Sequence, residues 1–240
     1  MHTGLDLKGV RIAVTGGTSG LGLALVRRLS WLGARVAFVA RTAADVEHTG
    51  LKTGALGIVA DVGRKEDIHP IALQVTAGLG GLDVLINNAS SLGPVPLRLL
   101  ADTECEELEA AFAVNLVGAF RLTKALYGAL AASARVGRGA LVVNISSDAA
   151  VNAYPNWGAY GASKAALAHM SAIWGEEAKA DGIRFLAVDP GDMDTPLHAL
   201  AVPDADPSTL KHPETAADEI IARISAALPA RAGASAEELA

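Results

Sequence analysis

The sequence holds a single cysteine, Cys105, in 240 residues. One thiol cannot close an internal disulfide, so the fold must rest on its core, and the chain reads as cytoplasmic. Aromatic residues amount to 4 %, too few for a base-stacking nucleic-acid platform. Basic residues number 20 against 26 acidic ones, a formal net charge of −6. That balance excludes binding to a phosphate backbone as the main function, because such binding needs a basic face. No apolar run approaches the roughly 18–20 residues of a membrane span. Residues Met1 to Gly9 include Asp6 and Lys8 and lack the apolar stretch of a signal peptide. His, Cys and carboxylate side chains show no metal-ligand spacing, so no metal is expected.

What the chain does have is apolar mass, 51 % of residues against 19 % charged, and 25 glycines. The first two figures describe a chain that folds around a core, and the length suits one large domain or two small ones. Short β-branched runs recur at Arg11–Thr15, Arg35–Ala40, Leu56–Asp61, Val84–Asn87, Ala140–Ser146 and Arg184–Asp189. They are apolar on both faces, as parallel strands covered on each side are. Between them, helical periodicity marks Leu21–Leu32, Ile68–Gly78, Thr103–Ala132, Ala159–Ala180 and Pro213–Ala227. Thr103 and Glu106 form a capping-box pattern at the head of the third. This alternation predicts an α/β fold: a single-domain, doubly wound parallel sheet of Rossmann-like type with helices on both faces.

The first strand runs through Thr15-Gly16-Gly17-Thr18-Ser19-Gly20-Leu21-Gly22 straight into a helix. Such a turn leaves backbone N–H groups free at a helix N-terminus, where a pyrophosphate binds. Gly16 allows the tight turn, Gly20 a close approach of the phosphates, and Gly22 close packing of the helix. The second strand ends at Ala40-Arg41-Thr42, where a dinucleotide fold meets the adenosine ribose. An acid there would favour NAD. Ala40 supplies none, and the Arg41 guanidinium suits a 2′-phosphate, so NADP is expected over NAD unless Arg41 is merely a solvated strand end.

Tyr160 and Lys164 are spaced i, i+4, on one face of a helix. An ammonium beside a phenol favours the phenolate and makes the tyrosine a usable proton donor and acceptor. Ser147 ends the fifth strand, at the edge where these sheets bind ligands. Asn115 interrupts an apolar stripe of Leu108, Phe112, Leu116, Ala119, Leu122, Leu126 and Leu130, so it is either structural glue or a positioned polar group.

With Asp61-Val62, Asn87-Asn88-Ala89 and Pro190-Gly191 followed by Thr195, these motifs resemble the short-chain dehydrogenase/reductase family over about residues 8–225. The resemblance implies a catalytic set of Asn115, Ser147, Tyr160 and Lys164. Tyr160 would be the general acid in reduction, Lys164 would bind the nicotinamide ribose, Ser147 would hold the substrate oxygen, and Asn115 would hold a water in the proton relay. It also implies cofactor contacts from Gly16, Thr18, Ser19, Gly20, Leu21, Gly22, Arg41, Asp61, Val62, Asn87, Asn88, Ala89, Pro190, Gly191, Met193 and Thr195. The expected activity is hydride transfer between NADP(H) and a small-molecule carbonyl or alcohol. The rival is a non-catalytic NADP(H)-binding regulatory module, which would not need the full catalytic set.

Three departures stand out. Ser90 replaces the glycine that usually follows Asn-Asn-Ala. Asp192 and Asp194 flank Met193 and read as solvated loop charges, the alternative being that they bind a polar group of the substrate. The usual seventh strand is expected to be missing, leaving six, with a flexible tail over 228–240. Residues 193–212 form the expected substrate lid, in which His198 reads as a surface residue, whereas His169 reads as a helix-packing residue. Leu92–Pro96 and Trp157 would add apolar walls to a mixed pocket. The long alanine-rich helices suit pairing across a two-fold axis, giving a homodimer or a tetramer.

Overall fold

Strands β1 (Arg11–Thr15), β2 (Arg35–Ala40), β3 (Leu56–Val59), β4 (Val84–Asn87), β5 (Ala140–Ile145) and β6 (Ile183–Val188) lie side by side in a computed structural model. Every pairing is parallel, and the order is β3-β2-β1-β4-β5-β6. The chain reverses its direction of winding between β1 and β4, which makes the crevice beyond those two strand ends the natural ligand site of the sheet. The structure describes residues 7–229; the Ala/Glu-rich end from residue 230 lies outside the described residues.

Helices cover both faces. On one side α1 (Gly20–Trp31), α2 (Ala43–Thr53) and α8 (Pro213–Ala227) bury Leu25, Leu29, Val46, Ile220 and Ile224 against Ile12, Val14 and Phe38. On the other, α3 (Lys65–Leu79), α5 (Ala119–Arg135) and α6 (Gly158–Glu177) close over Ala13, Leu85 and Val142 with Ile71, Val75, Leu122 and Leu126. A short α4 (Cys105–Phe112) precedes α5, and α7 (Pro196–Ala201) lies in the expected lid. Among the described residues no helix is long and apolar enough to cross a membrane.

Several expected boundaries shift. The helix expected over Thr103–Ala132 is α4, a π-helical turn at Ala113–Gly118, and α5. Its first turn is tied by Glu107, which accepts the Glu104 N–H at 3.1 Å, while Thr103 donates its hydroxyl back to the Leu99 carbonyl. The capping pair is therefore Glu104 and Glu107, one residue later than the expected Thr103 and Glu106. The strand expected to reach Asp61 stops at Val59, because the Asp61 N–H turns to the Asp67 carboxylate at 2.8 Å. Leu228 packs against the core and its N–H bonds Ile224 O at 3.1 Å, so the expected flexible tail does not begin there.

Opposite the crevice, Asp83 stitches the sheet together. Its carboxylate accepts from the Arg11 side chain at 2.6 Å, Ser133 at 2.7 Å and Arg138 at 2.7 Å. Asp83 is wholly buried. Burial alone would raise its pKa, but the hydrogen bonds from Arg138 and Arg11 overcome that and hold it well below the usual carboxylate range.

Candidate active site

The glycine turn is built as an anion cradle. Gly16 has φ +71° and Gly20 φ +48°, the left-handed region where a side chain is strained. A Cβ on Gly22 would overlap the Gly16 carbonyl oxygen, so only glycine lets α1 start this close to the turn. Ser19, the N-cap of α1, makes no side-chain cap, and the first turn carries no acid. The N–H groups and positive end of the helix dipole are thus left for an external anion. Thr18 is half-buried and Ser19 exposed beside it, whereas Leu21 points into the core and has only its backbone to offer.

Three segments meet at this cradle. Thr15 Oγ1 accepts the N–H groups of Asn88 at 2.9 Å and Ala89 at 3.0 Å, and Asn88 Nδ2 donates to Thr15 O at 2.8 Å. Asn88 thereby clamps the end of β4 to the end of β1. Val62 and Ala89 line the adjoining cleft with Thr15, Asn87, Val114 and Asn115. Asp61 is half-buried and accepts the Gly63 N–H at 2.8 Å. Arg41 stands exposed at the end of β2. On the far side, a Cβ at Gly20 would come within 3.1 Å of Thr195 Cγ2, so the start of α7 borders the turn. Pro190, Gly191 and Met193 lead there: Lys211 donates to Pro190 O at 3.1 Å, Gly191 N donates to Asp189 at 2.9 Å, and Met193 bridges to Lys211. Glycine cradle, open helix terminus and bordering threonine fit a dinucleotide.

Tyr160 and Lys164 sit on one face of α6 and are both buried, with Lys164 at 2 % exposure. The ammonium donates to the Ile145 carbonyl at 2.7 Å, at the end of β5, and lies 5.5 Å from the Tyr160 ring centroid. Burial pushes its pKa down from 10.5 to about 8. Burial also dominates at Tyr160, raising the phenol above its ordinary value of 10, while hydrogen bonds with Ser147 and Ser90 pull the other way. Against the expected depression by the lysine, burial raises the phenol, and the Lys164 ammonium is directed at a backbone carbonyl.

Ser147 follows β5, donates to Asp148 Oδ1 at 3.1 Å, and accepts the Ala149 N–H at 3.2 Å. Tyr154 donates to the other oxygen of Asp148 at 2.7 Å and so holds that carboxyl below the usual range. Asn115 occupies the π-helical turn, 1 % exposed. Its Nδ2 donates to Ser91 O and to Ser163 Oγ, both at 2.8 Å, and its Oδ1 accepts the Ser91 N–H at 2.7 Å. Ser163 in turn donates to the Tyr160 carbonyl at 2.7 Å. Asn115 thus ties the strand-end loop to the helix that carries Tyr160 and Lys164.

The pocket beside Tyr160 has apolar walls. Leu92 and Ala149 pack on it with Leu97, Leu197 and Ala201, and Trp157 meets its ring edge-on at 5.7 Å. Two histidine expectations fail. His198 is only 14 % exposed in its side chain and lies 3.9 Å from Asp192, whereas His169 is exposed on α6 rather than packed. Asp192 and Asp194 are exposed as expected. Sequence reasoning gave no role to Ser91, Ser163 or Thr123, which hold Asn115 and Asn87 in place. A hydroxyl three residues after Tyr160 was the one available signal. Among the described residues no group of three His, Cys, Asp or Glu is placed to hold a metal.

An open parallel sheet in this order, with a glycine cradle at its switch point, defines a dinucleotide-binding fold of the doubly wound class. A family model described as short chain dehydrogenase matches residues 11–206, and the chain belongs to the short-chain dehydrogenase/reductase family of NAD(P)-dependent oxidoreductases. An uncharacterized short-chain type dehydrogenase/reductase from Sinorhizobium fredii, y4vI, is 34 % identical over 78 % of this chain but only 33 % of its own length. The chain therefore spans about a third of that relative. A short chain dehydrogenase from Burkholderia cenocepacia in complex with NADP superposes with a TM-score of 0.80, at 25 % identity over 90 % of each chain. A 3-ketoacyl-(acyl-carrier-protein) reductase from Brucella melitensis complexed with NADH superposes with a TM-score of 0.83 at 26 % identity, over 89 % of this chain and 90 % of that one.

Proposed function

We propose that the chain is an NADP(H)-dependent oxidoreductase that transfers a hydride between the nicotinamide and a carbonyl or alcohol substrate, with Tyr160 as general acid in reduction and base in oxidation. The observation that carries this is the convergence of Ser147, Tyr160, Lys164 and Asn115 on one crevice, beside a glycine cradle open to an anion. A regulatory module would need the cradle alone.

The nicotinamide supplies the hydride. The chain supplies orientation and proton handling. At neutral pH Tyr160 is a phenol, so its proton is available to an oxygen that gains negative charge as a carbonyl is reduced. Ser147 Oγ, beside the phenol, holds the same substrate oxygen. Lys164 reaches from α6 to the carbonyl at the end of β5 and would hold the nicotinamide ribose there. Asn115 keeps α6 and the 90–91 loop in register with that end. Leu92, Trp157 and Leu197 exclude water from the reacting atoms. The described residues act as one domain, with 193–212 as the lid over the substrate.

Preference for NADP over NAD follows from Arg41, exposed where the adenosine ribose would lie and without a competing acid at Ala40. The test is binding of NADPH and NADH to the native chain and to Arg41→Ala. The reading requires tighter NADPH binding that falls at least tenfold in the variant, with NADH nearly unchanged; equal losses for both would overturn it. A homodimer, with a tetramer as the alternative, belongs to the same reading. Phe120 on α5 and Ile173 on α6 are 39 % and 48 % exposed, and a second copy would cover them. A clean monomer in sedimentation would refute this.

A further inference from the structure

Lys211, at the far end of the lid, is tied to three points of the segment that leaves β6. Its N–H donates to Asp192 O and its carbonyl accepts the Asp194 N–H, both at 3.0 Å, forming a parallel bridge with Met193. The bridge pins the two ends of the lid together, and Met193 packs against the core on the side of α1 and α8. The Lys211 side chain turns elsewhere. Its ammonium donates to Pro190 O at 3.1 Å and to the Glu219 carboxylate of α8 at 2.8 Å. A Cβ built on Gly191 would lie 3.8 Å from the same nitrogen, so the ammonium flanks the turn at Gly191, where φ is +75°. The side chains of Lys211 and Glu219 are 32 % and 51 % exposed, and an ion pair so exposed adds little to stability. A charge-assisted hydrogen bond to the carbonyl of a buried proline is worth more. The ammonium therefore acts chiefly on the 190–191 turn.

We propose that Lys211 is a positioning residue for the nicotinamide half of the cofactor, holding the Pro190–Gly191 turn and the base of the lid in one register. The inference rests on the proposed dinucleotide reading, in which Pro190, Gly191 and Thr195 face the nicotinamide. Thr195, the N-cap of α7, follows the bridge directly after Asp194 and borders the cradle at Gly20. A change at residue 211 thus reaches Pro190 through the ammonium and Thr195 through the backbone. The adenosine half lies outside that reach. Arg41 and Asp61 follow β2 and β3, at the opposite edge of the sheet from β6. Lys211 therefore acts on one end of the dinucleotide and leaves the other alone.

Binding of NADPH and of 2′-phospho-ADP-ribose, which lacks the nicotinamide, separates the two ends. For Lys211→Met the NADPH Kd is expected to rise about tenfold, the loss of one hydrogen bond from a charged group, while the Kd of the analogue stays at its native value. Lys211→Arg keeps a cationic donor and is expected to restore NADPH binding. Hydrogen exchange of the ligand-free chain gives a readout without any ligand. The amides of residues 191–194 should exchange faster in Lys211→Met, with the core strands unchanged. Equal losses for both ligands, no loss for either, or a Lys211→Arg variant that behaves like Lys211→Met would overturn the proposal. Where Lys211→Met does not fold, Glu219→Gln, which frees the ammonium from α8, must show the same selective loss. A native chain that binds neither ligand would instead overturn the dinucleotide reading, and the proposal with it.

Discussion

Lys164 donates to the carbonyl of Ile145 at 2.7 Å, inside the fold, and among the described residues no carboxylate pairs with it. A buried ammonium without a counter-charge is costly. Its pKa falls to about 8 from 10.5, so the folded state binds this proton less tightly than the unfolded chain does. The cost is fully present below about pH 8, shrinks as pH rises from there, and vanishes above about 10.5. Lys164→Met is therefore expected to stabilise the ligand-free fold by about 3 kcal/mol at neutral pH, to flatten the rise in stability across that window, and to abolish activity. Urea denaturation at a series of pH values measures it.

Asp83 carries the opposite sign. Its folded pKa is depressed, so its contribution is present above the ordinary value of 3.8 and is lost as pH falls below it. Asp83→Asn leaves Arg11 and Arg138 without their buried partner, and a loss of about 3–5 kcal/mol is expected. The variant should also lose stability less steeply between pH 4 and pH 2 than the native chain does. Equilibrium unfolding at both ends of that range checks the two statements together.

The contrast between these two ions also shows what could be read without coordinates. The spans of β1, β2, β4 and α8 follow directly from apolar runs and match residue for residue. The motif positions fall at one crevice because a doubly wound sheet puts its strand ends there. Helix α2 escaped notice because it buries only Val46 and Thr49, too little for a periodic stripe. The long helix was in phase from Ala119 on, where Ala119, Leu122, Leu126 and Leu130 are buried as expected, and out of phase only before it. There the expected Leu108, Phe112 and Leu116 are only half-buried and the buried positions are Ala111, Asn115 and Gly118, since a polar side chain faces inward from a π-helical turn. Periodicity weighs apolar residues and cannot see that Asn115 is the anchor. Nor can spacing tell how far burial raises the Tyr160 phenol against a nearby charge.

That direction governs the pH dependence. With its phenol pushed above its ordinary value by burial, Tyr160 stays protonated through neutrality. Carbonyl reduction needs the proton and should be level through neutral pH, falling only on the alkaline side. Alcohol oxidation needs the phenolate and should climb with pH over the same range. The two profiles, measured on one substrate pair, should cross; parallel profiles would point to a different proton carrier.

The central claim is that Tyr160 delivers the proton in a hydride transfer at the crevice between β1 and β4. The most direct measurement is consumption of NADPH against a panel of aldehydes and ketones, by the native chain and by Tyr160→Phe, with NADPH binding measured for both. The account predicts carbonyl-dependent consumption that falls by about 100-fold or more in the variant, while NADPH binding stays within a few-fold. Tyr160→Phe consuming NADPH at the native rate on the same carbonyl would contradict it.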